Sequence, residues 1–248
     1  MLIVSYGGGI DSTAMVIELL KHGDQIDYIT FADTGGEKPH TYDFIKTFSA
    51  WLTENHGLTV TVIHKDSMYS SLEDNCLKKN MLPSLAYGFK SCSEKWKIQP
   101  QDKFFNNLPA AKAEWAAGRK ITKCLGYDLG EERRAKAYVH PKYLYRYPLI
   151  EWEMERENCI ESIIAAGLPV PDKSACFFCP ANRKPEILEL QRRYPDLLER
   201  ALKMERDAEL TSVKGLGRSF NWQQFIDSGS KELFSDIGAP EVCDRCTG

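Results

Sequence analysis

Three consecutive glycines, Gly7, Gly8 and Gly9, stand between the apolar run at residues 2–6 and the polar cluster Asp11-Ser12-Thr13. Phosphate binding needs backbone N–H groups that converge on one small volume, with a helix N-terminus behind them. Glycine supplies the positive φ values and the close backbone approach that such a loop uses. Ser12 and Thr13 add hydroxyl donors, and Asp11 can hold a metal ion or position the loop. The spacing is neither G-x-G-x-x-G nor the eight-residue loop ending in Lys-Ser/Thr. A plain strand-to-helix turn capped by Asp11 is the simpler alternative.

The second chemical feature is sulfur. The chain has eight cysteines, and four of them form two Cys-x-x-Cys pairs, Cys176/Cys179 and Cys243/Cys246. Together the pairs offer four thiolates, a closed tetrahedral site for zinc or an iron–sulfur cluster. Such a site would fasten the polar tail to the rest of the chain. A redox dithiol at Cys176/Cys179 and unconnected thiols stay open. Cys76, Cys124 and Cys159 lie within strand- or helix-like patterns and read as core. The five histidines have no metal-ligand spacing.

These residues need elements to position them. Residues 2–6, 27–32 and 58–63 read as buried strands, separated by helical patterns after Asp11 and over 42–56. This β-α-β-α-β alternation predicts an α/β fold, a doubly wound parallel sheet. Asp33 falls just past the second strand, where open α/β sheets bind ligands; a turn residue before Gly35-Gly36 is the alternative. Glu37 and Lys38 read as solvated. A helix is expected over 101–117, a strand over 121–127, an extended segment over 143–150 and a helix over 153–166. One or two helices follow over 185–210, interrupted at Pro195, then a short helix near 221–227. The chain of 248 residues, 43% apolar and 27% charged, has a net charge of −3 and no global pull toward nucleic acid or anionic membrane. No apolar stretch approaches the roughly 20 residues of a membrane span. With no signal peptide visible, the expected location is cytoplasmic.

The residues around the glycines resemble a known family. Ser5-Tyr-Gly-Gly-Gly-Ile-Asp-Ser12 looks like the pyrophosphate-loop (PP-loop) motif of the N-type ATP pyrophosphatases, the adenine nucleotide alpha-hydrolase-like superfamily. Residues 32–39 with Thr41 and Tyr42 resemble its phosphoadenosine phosphosulfate (PAPS) reductase branch. So do residues 92–100, 126–134 and 147–152, in the same order. Cys176-Phe-Phe-Cys179-Pro180 resembles the reductase-like proteins often carried by phages, for which the location would be the host cytoplasm. The resemblance implies a Rossmann-like PP-loop domain over 1–152 and a helical, cysteine-bearing region over 153–248. It implies nucleotide contacts at Ser5, Gly7, Gly8, Gly9, Asp11, Ser12, Thr13, Asp33, Gly126 and Arg134, with Asp11, Ser12 and Lys97 in catalysis. Arg133 and Arg134 suit phosphate contact but also read as a solvated helix face with Glu131 and Glu132. Cys92 matches a position where some members ligate a cluster, so Cys92, Cys176 and Cys179 form an alternative three-thiolate set, against a plain buried cysteine.

Two departures bear on activity. Gly7 replaces the motif's first serine, and Ile10 replaces a residue often basic. The Glu-Cys-Gly-x-His segment carrying the reductases' nucleophilic thiol has no counterpart here; the chain ends Cys243-Asp-Arg-Cys246-Thr-Gly. The expected function is therefore ATP cleavage between the α and β phosphates, with Mg²⁺, coupled to sulfur or nitrogen transfer. PAPS reduction is one alternative. A nucleotide-binding or phage–host interaction module with a structural metal is another. A nucleic-acid or small-molecule acceptor and a homodimer stay open.

Overall fold

A computed structural model describes residues 1–135 and 139–229. The strand β1 (Leu2–Tyr6), helix α1 (Ile10–Lys21), β2 (Tyr28–Asp33), α2 (Pro39–His56) and β3 (Val60–His64) realise the expected alternation. Next come α3 (Leu72–Lys78), the single turn α4 (Ser91–Ser93), α5 (Gln99–Asn107) and α6 (Pro109–Ala116). After β4 (Ile121–Leu125) and β5 (Tyr143–Arg146) follow α7 (Pro148–Glu151), α8 (Arg156–Ala165), α9 (Lys184–Arg193), α10 (Pro195–Asp207) and α11 (Trp222–Asp227). Cys243 and Cys246 lie outside the described residues.

Prolines account for three departures from the sequence pattern. The helix expected over 101–117 is two helices, because Leu108 is held extended before Pro109, which opens α6. The extended segment over 143–150 ends as a strand at Arg146, and Pro148 begins the short α7. Pro195 separates α9 from α10, as its missing N–H requires. Pro39 at the first turn of α2 starts that helix three residues earlier than its apolar periodicity indicates.

The chain forms two compact units, interleaved in sequence. The first comprises Met1–Asp33, Lys38–His64 and Pro100–Ser174; the second comprises Thr34–Glu37, Lys65–Gln99 and Ala175–Gly248. In the first unit five parallel strands are ordered β3-β2-β1-β4-β5. Successive β1 residues face opposite sides, and both sides are covered. Val4 joins a core with Met15, Phe48 and Ile163 from α1, α2 and α8, whereas Ile3 joins one with Phe105 and Ala111 from α5 and α6. Covering both faces makes the sheet doubly wound. α8, which begins after residue 152, packs on α1. Its start is fixed by a capping box between Glu155 and Asn158.

The second unit is helical around Trp96, Phe177, Phe178, Ile187, Leu202 and Trp222. Its last described helix is held by Glu205, 2% exposed, whose carboxylate accepts from the amides of Leu216 (2.6 Å), Trp222 (3.0 Å) and Gln223 (3.0 Å).

Strand order puts a switch point between β1 and β4, where the chain leaves β1 in one direction and returns on its other side. The carboxyl ends of these neighbours carry Gly7 and Gly126. A Cβ on Gly126 would lie 2.9 Å from both the Cα and the backbone nitrogen of Ser12. No flexible side chain can give way there. Gly126→Ala is accordingly expected to lower unfolding stability by about 2 kcal/mol, measured by urea denaturation; a stability equal to the parent's would contradict this packing.

Candidate functional site at the β1–β4 switch point

The loop after β1 is closed by its own hydrogen bonds. The Gly7 amide donates to Ser12 Oγ at 3.2 Å, and Ser12 Oγ donates to the Gly9 carbonyl at 3.2 Å. Thr13 Oγ1 donates to the same carbonyl at 2.8 Å and lies 3.1 Å from the Tyr6 hydroxyl. Thr13, expected among the phosphate donors, is fully buried by this arrangement and shapes the loop from behind. Ser5, another expected contact, donates to Gln101 Oε1 of α5 at 3.0 Å.

The three glycines have different reasons to be glycine. Gly8 adopts φ +76°, and a Cβ there would press on Thr41 Cγ2 at 3.3 Å. Gly9, the N-cap of α1, is extended at φ −107°, ψ −179°, and gives the helix no side-chain cap. Gly7 is exposed, has no left-handed φ, and a Cβ on it would meet only Ser12 Oγ, at 3.7 Å. The fold needs Gly8. It does not need Gly7, which leaves the backbone bare on the solvent side.

Beside the α1 N-terminus stand Asp11, Asp128 and Glu131. One guanidinium nitrogen of Arg156, the first residue of α8, donates to both Asp11 oxygens at 2.7 and 2.9 Å. Burial pushes the Asp11 carboxyl up to about 6, against the pull of Arg156 and with help from the charges of Asp128 and Glu131. Arg134, expected to reach a phosphate, pairs with Glu131 and stacks 4.2 Å from the Tyr127 ring centroid. At the end of β2, Asp33 accepts from the Tyr42 hydroxyl at 2.8 Å, and His64 Nδ1 lies 3.7 Å from its other oxygen.

The second unit holds the other group of chemically active residues. Glu37 pairs with Cys176 in an antiparallel bridge, and Cys176 Sγ lies 3.1 Å from Thr34 Oγ1. The phenyl ring of Phe178 would sit 2.7 Å from a Cβ on Gly36, so that glycine admits the cysteine turn. Lys97 Nζ donates to Glu37 Oε1 at 3.3 Å. The Glu37 charge raises the Lys97 ammonium above the usual lysine range, outweighing burial, and both thiols add to the effect. Burial, reinforced by Glu37, raises the Cys176 thiol against the pull of Lys97. Cys92 is half-buried in the same unit's core. Among the described residues no three His, Cys, Asp or Glu side chains stand together as a metal site. Cys176 and Cys179 thus offer two thiolates, and the described residues complete neither a zinc, a cluster nor a Mg²⁺ site.

Several placements correct the sequence reading. Glu37 and Lys38, read as solvated, are each 4% exposed. Glu37 is buried by its pairing with Cys176, a partner far along the chain that local pattern cannot reveal. Arg133 is exposed, but its neighbour Arg134 has a side chain only 7% exposed, so the stretch is not a uniformly solvated face. Cys76, Cys124 and Cys159 are core residues as expected, and burial pushes each thiol up to about 12. Local sequence does not single out Arg156 and Asp128, because their importance comes from proximity to Asp11 in space.

The fold and the loop define a doubly wound α/β chain with a bare glycine loop at its switch point. No family model matches the chain. Two uncharacterized proteins of Methanocaldococcus jannaschii are similar to it. One is 21% identical over 216 residues, covering 79% of this chain and 45% of the relative. The other is 23% identical over 209 residues, covering 80% and 40%. The chain thus spans less than half the length of these curated relatives. Among solved structures, the U34-tRNA thiolase NcsA from Methanococcus maripaludis with its [4Fe-4S] cluster aligns with a TM-score of 0.45 and 15% identity, over 100% of this chain and 80% of that one.

The Asp11 shift has a measurable consequence. The carboxyl titrates near 3.8 when unperturbed and about 6 when folded, so its ionisation opposes folding. The penalty is absent below about pH 4, grows as pH rises to about 6 and is complete above it. In the ligand-free protein Asp11→Asn should raise stability at pH 8 by about 2–3 kcal/mol, a gain that fades toward pH 4. Melting curves across this range check it; a gain independent of pH would assign the effect elsewhere.

Proposed function

We propose that the chain binds ATP by its phosphates at the β1–β4 crevice and activates an acceptor by adenylation. The observation that carries this is Gly7: exposed, unstrained and unneeded by the fold, beside the uncapped N-terminus of α1. A side chain there would occupy the space a phosphate needs to reach the backbone amides. Arrival of an anion lets the Gly7 amide and Ser12 hydroxyl exchange their mutual bond for charge-assisted ones, which are roughly twice as strong.

In this reading the acceptor oxygen attacks the α-phosphorus, the bond to the bridging oxygen of the β-phosphate breaks, and its electron pair leaves with pyrophosphate. The glycine loop and helix N-terminus stabilise the charge that develops on that leaving group. ATP is supplied as its Mg²⁺ complex. Asp33, at the carboxyl end of β2 and held by Tyr42, is a polar contact for the nucleoside, and Gly126 keeps the opposite wall close to α1. A sulfur or nitrogen nucleophile then attacks the acceptor carbon that carries the adenylate, the carbon–oxygen bond breaks, and AMP leaves with that oxygen and its electron pair. Lys97 belongs to the second unit and is engaged there with Glu37. Cys176 and Cys179 would hold zinc or a [4Fe-4S] cluster together with Cys243 and Cys246, or with Cys92.

Two experiments test these parts. Gly7→Ala is expected to leave stability within about 0.5 kcal/mol while weakening ATP binding about tenfold and slowing pyrophosphate release. Unchanged binding would remove the loop from the site, and sulfite release from PAPS would favour reductase chemistry. The purified protein should contain zinc or be brown with iron, and Cys176→Ser with Cys179→Ser should abolish the metal. A metal-free parent would leave these thiols as a dithiol.

A further inference from the structure

We propose that the phosphate site has a second wall, the N-terminus of α2, and that Lys38 and Thr41 bind the polyphosphate there. The proposal rests on the nucleotide reading and extends it to residues outside the glycine loop.

Lys38 is the N-cap of α2 and is 4% exposed. No hydrogen bond or carboxylate partner for its ammonium occurs among the described residues. Its stem is buried, while its ammonium is not among the enclosed polar atoms and has no counter-charge among the described residues, so an anion that reaches it forms a charge-assisted contact. The helix adds to this: an 18-residue helix begins at this residue, with no acidic residue in its first turn and no side-chain cap. A lysine and a helix N-terminus in one turn both favour an anion.

Thr41 lies in the same first turn. It is 1% exposed, and its Oγ1 has no hydrogen-bond partner among the described residues. Its Cγ2 lies 3.3 Å from the position of a Cβ on Gly8, so the first turn of α2 abuts the glycine loop. An unsatisfied buried hydroxyl costs stability that a ligand's oxygen would recover. The glycine loop with α1 and the turn from Lys38 to Thr41 then hold one phosphoryl chain between two helix N-termini. This also accounts for a lysine at an N-cap, a position that on its own favours Ser, Thr, Asp or Asn. The ligand class is a di- or triphosphate rather than a neutral nucleoside.

The test uses the full chain with ATP, inorganic pyrophosphate and adenosine in calorimetry. Lys38→Met should weaken ATP and pyrophosphate by about tenfold or more, leave adenosine unaffected, and leave the ligand-free melting temperature unchanged or higher. Lys38→Arg should restore pyrophosphate binding. Thr41→Val should weaken pyrophosphate several-fold and keeps the proposal testable if Lys38→Met does not fold. Equal pyrophosphate affinity in Thr41→Val or Lys38→Met and the parent overturns the second wall while leaving the glycine loop intact. A parent that binds neither ATP nor pyrophosphate overturns the nucleotide reading itself.

Discussion

The approach of the Gly126 loop to the first turn of α1 is the contact on which the first unit's site depends. Backbone meets backbone there, with a Cβ's space denied by the Cα and nitrogen of Ser12. It follows from β1 and β4 being neighbours with parallel register, which brings the ends of both strands to one edge. Were the two loops apart, the amides after Gly7 would face bulk water, where an anion gains little from them. Held together, they form a recess with one bare face. The apolar layers of α1, α2 and α8 behind the sheet keep that recess from relaxing.

Charge is distributed unequally around this frame. Carboxylates gather on one side of the α1 N-terminus, tempered by Arg156, whereas the start of α2 carries Lys38 and no acidic residue in its first turn. The first arrangement opposes folding, as the raised Asp11 carboxyl shows. Stability given up at such places is characteristic of binding sites, where a ligand supplies the missing counter-charge. The second unit follows the same pattern. Glu37 has no exposed side-chain surface, shares one oxygen with Lys97, and has its other oxygen unsatisfied among the described residues.

Much of this was legible from local pattern. The alternation of apolar runs with capped helical periods is a property of neighbouring residues, so strands β1 to β4 with α1 and α2 could be read directly, whereas the pattern shows neither α3 nor α4 and merges α5 and α6 into one expected helix. The glycines announced a loop of unusual backbone. Pattern could not say that Gly8 carries the left-handed φ while Gly7 and Gly9 do not, because three adjacent glycines are equivalent until the loop is folded. The serine and threonine of the loop were legible as donors, but not their engagement with Gly7, Gly9 and Tyr6. Polar residues such as Glu37 and Lys38 read as solvated by default, since charge alone favours water.

By itself, then, the chain of residues determined the α/β alternation, the glycine loop between a strand and a helix, and three core cysteines, since each follows from contacts within a few residues. Tertiary structure alone decided that Gly126 presses on Ser12, that Arg156 answers Asp11, that Glu37 lies against Cys176, and that Lys38 is buried at the head of α2. These depend on which distant segments share a volume, and burial, not residue type, sets the energy of a charge.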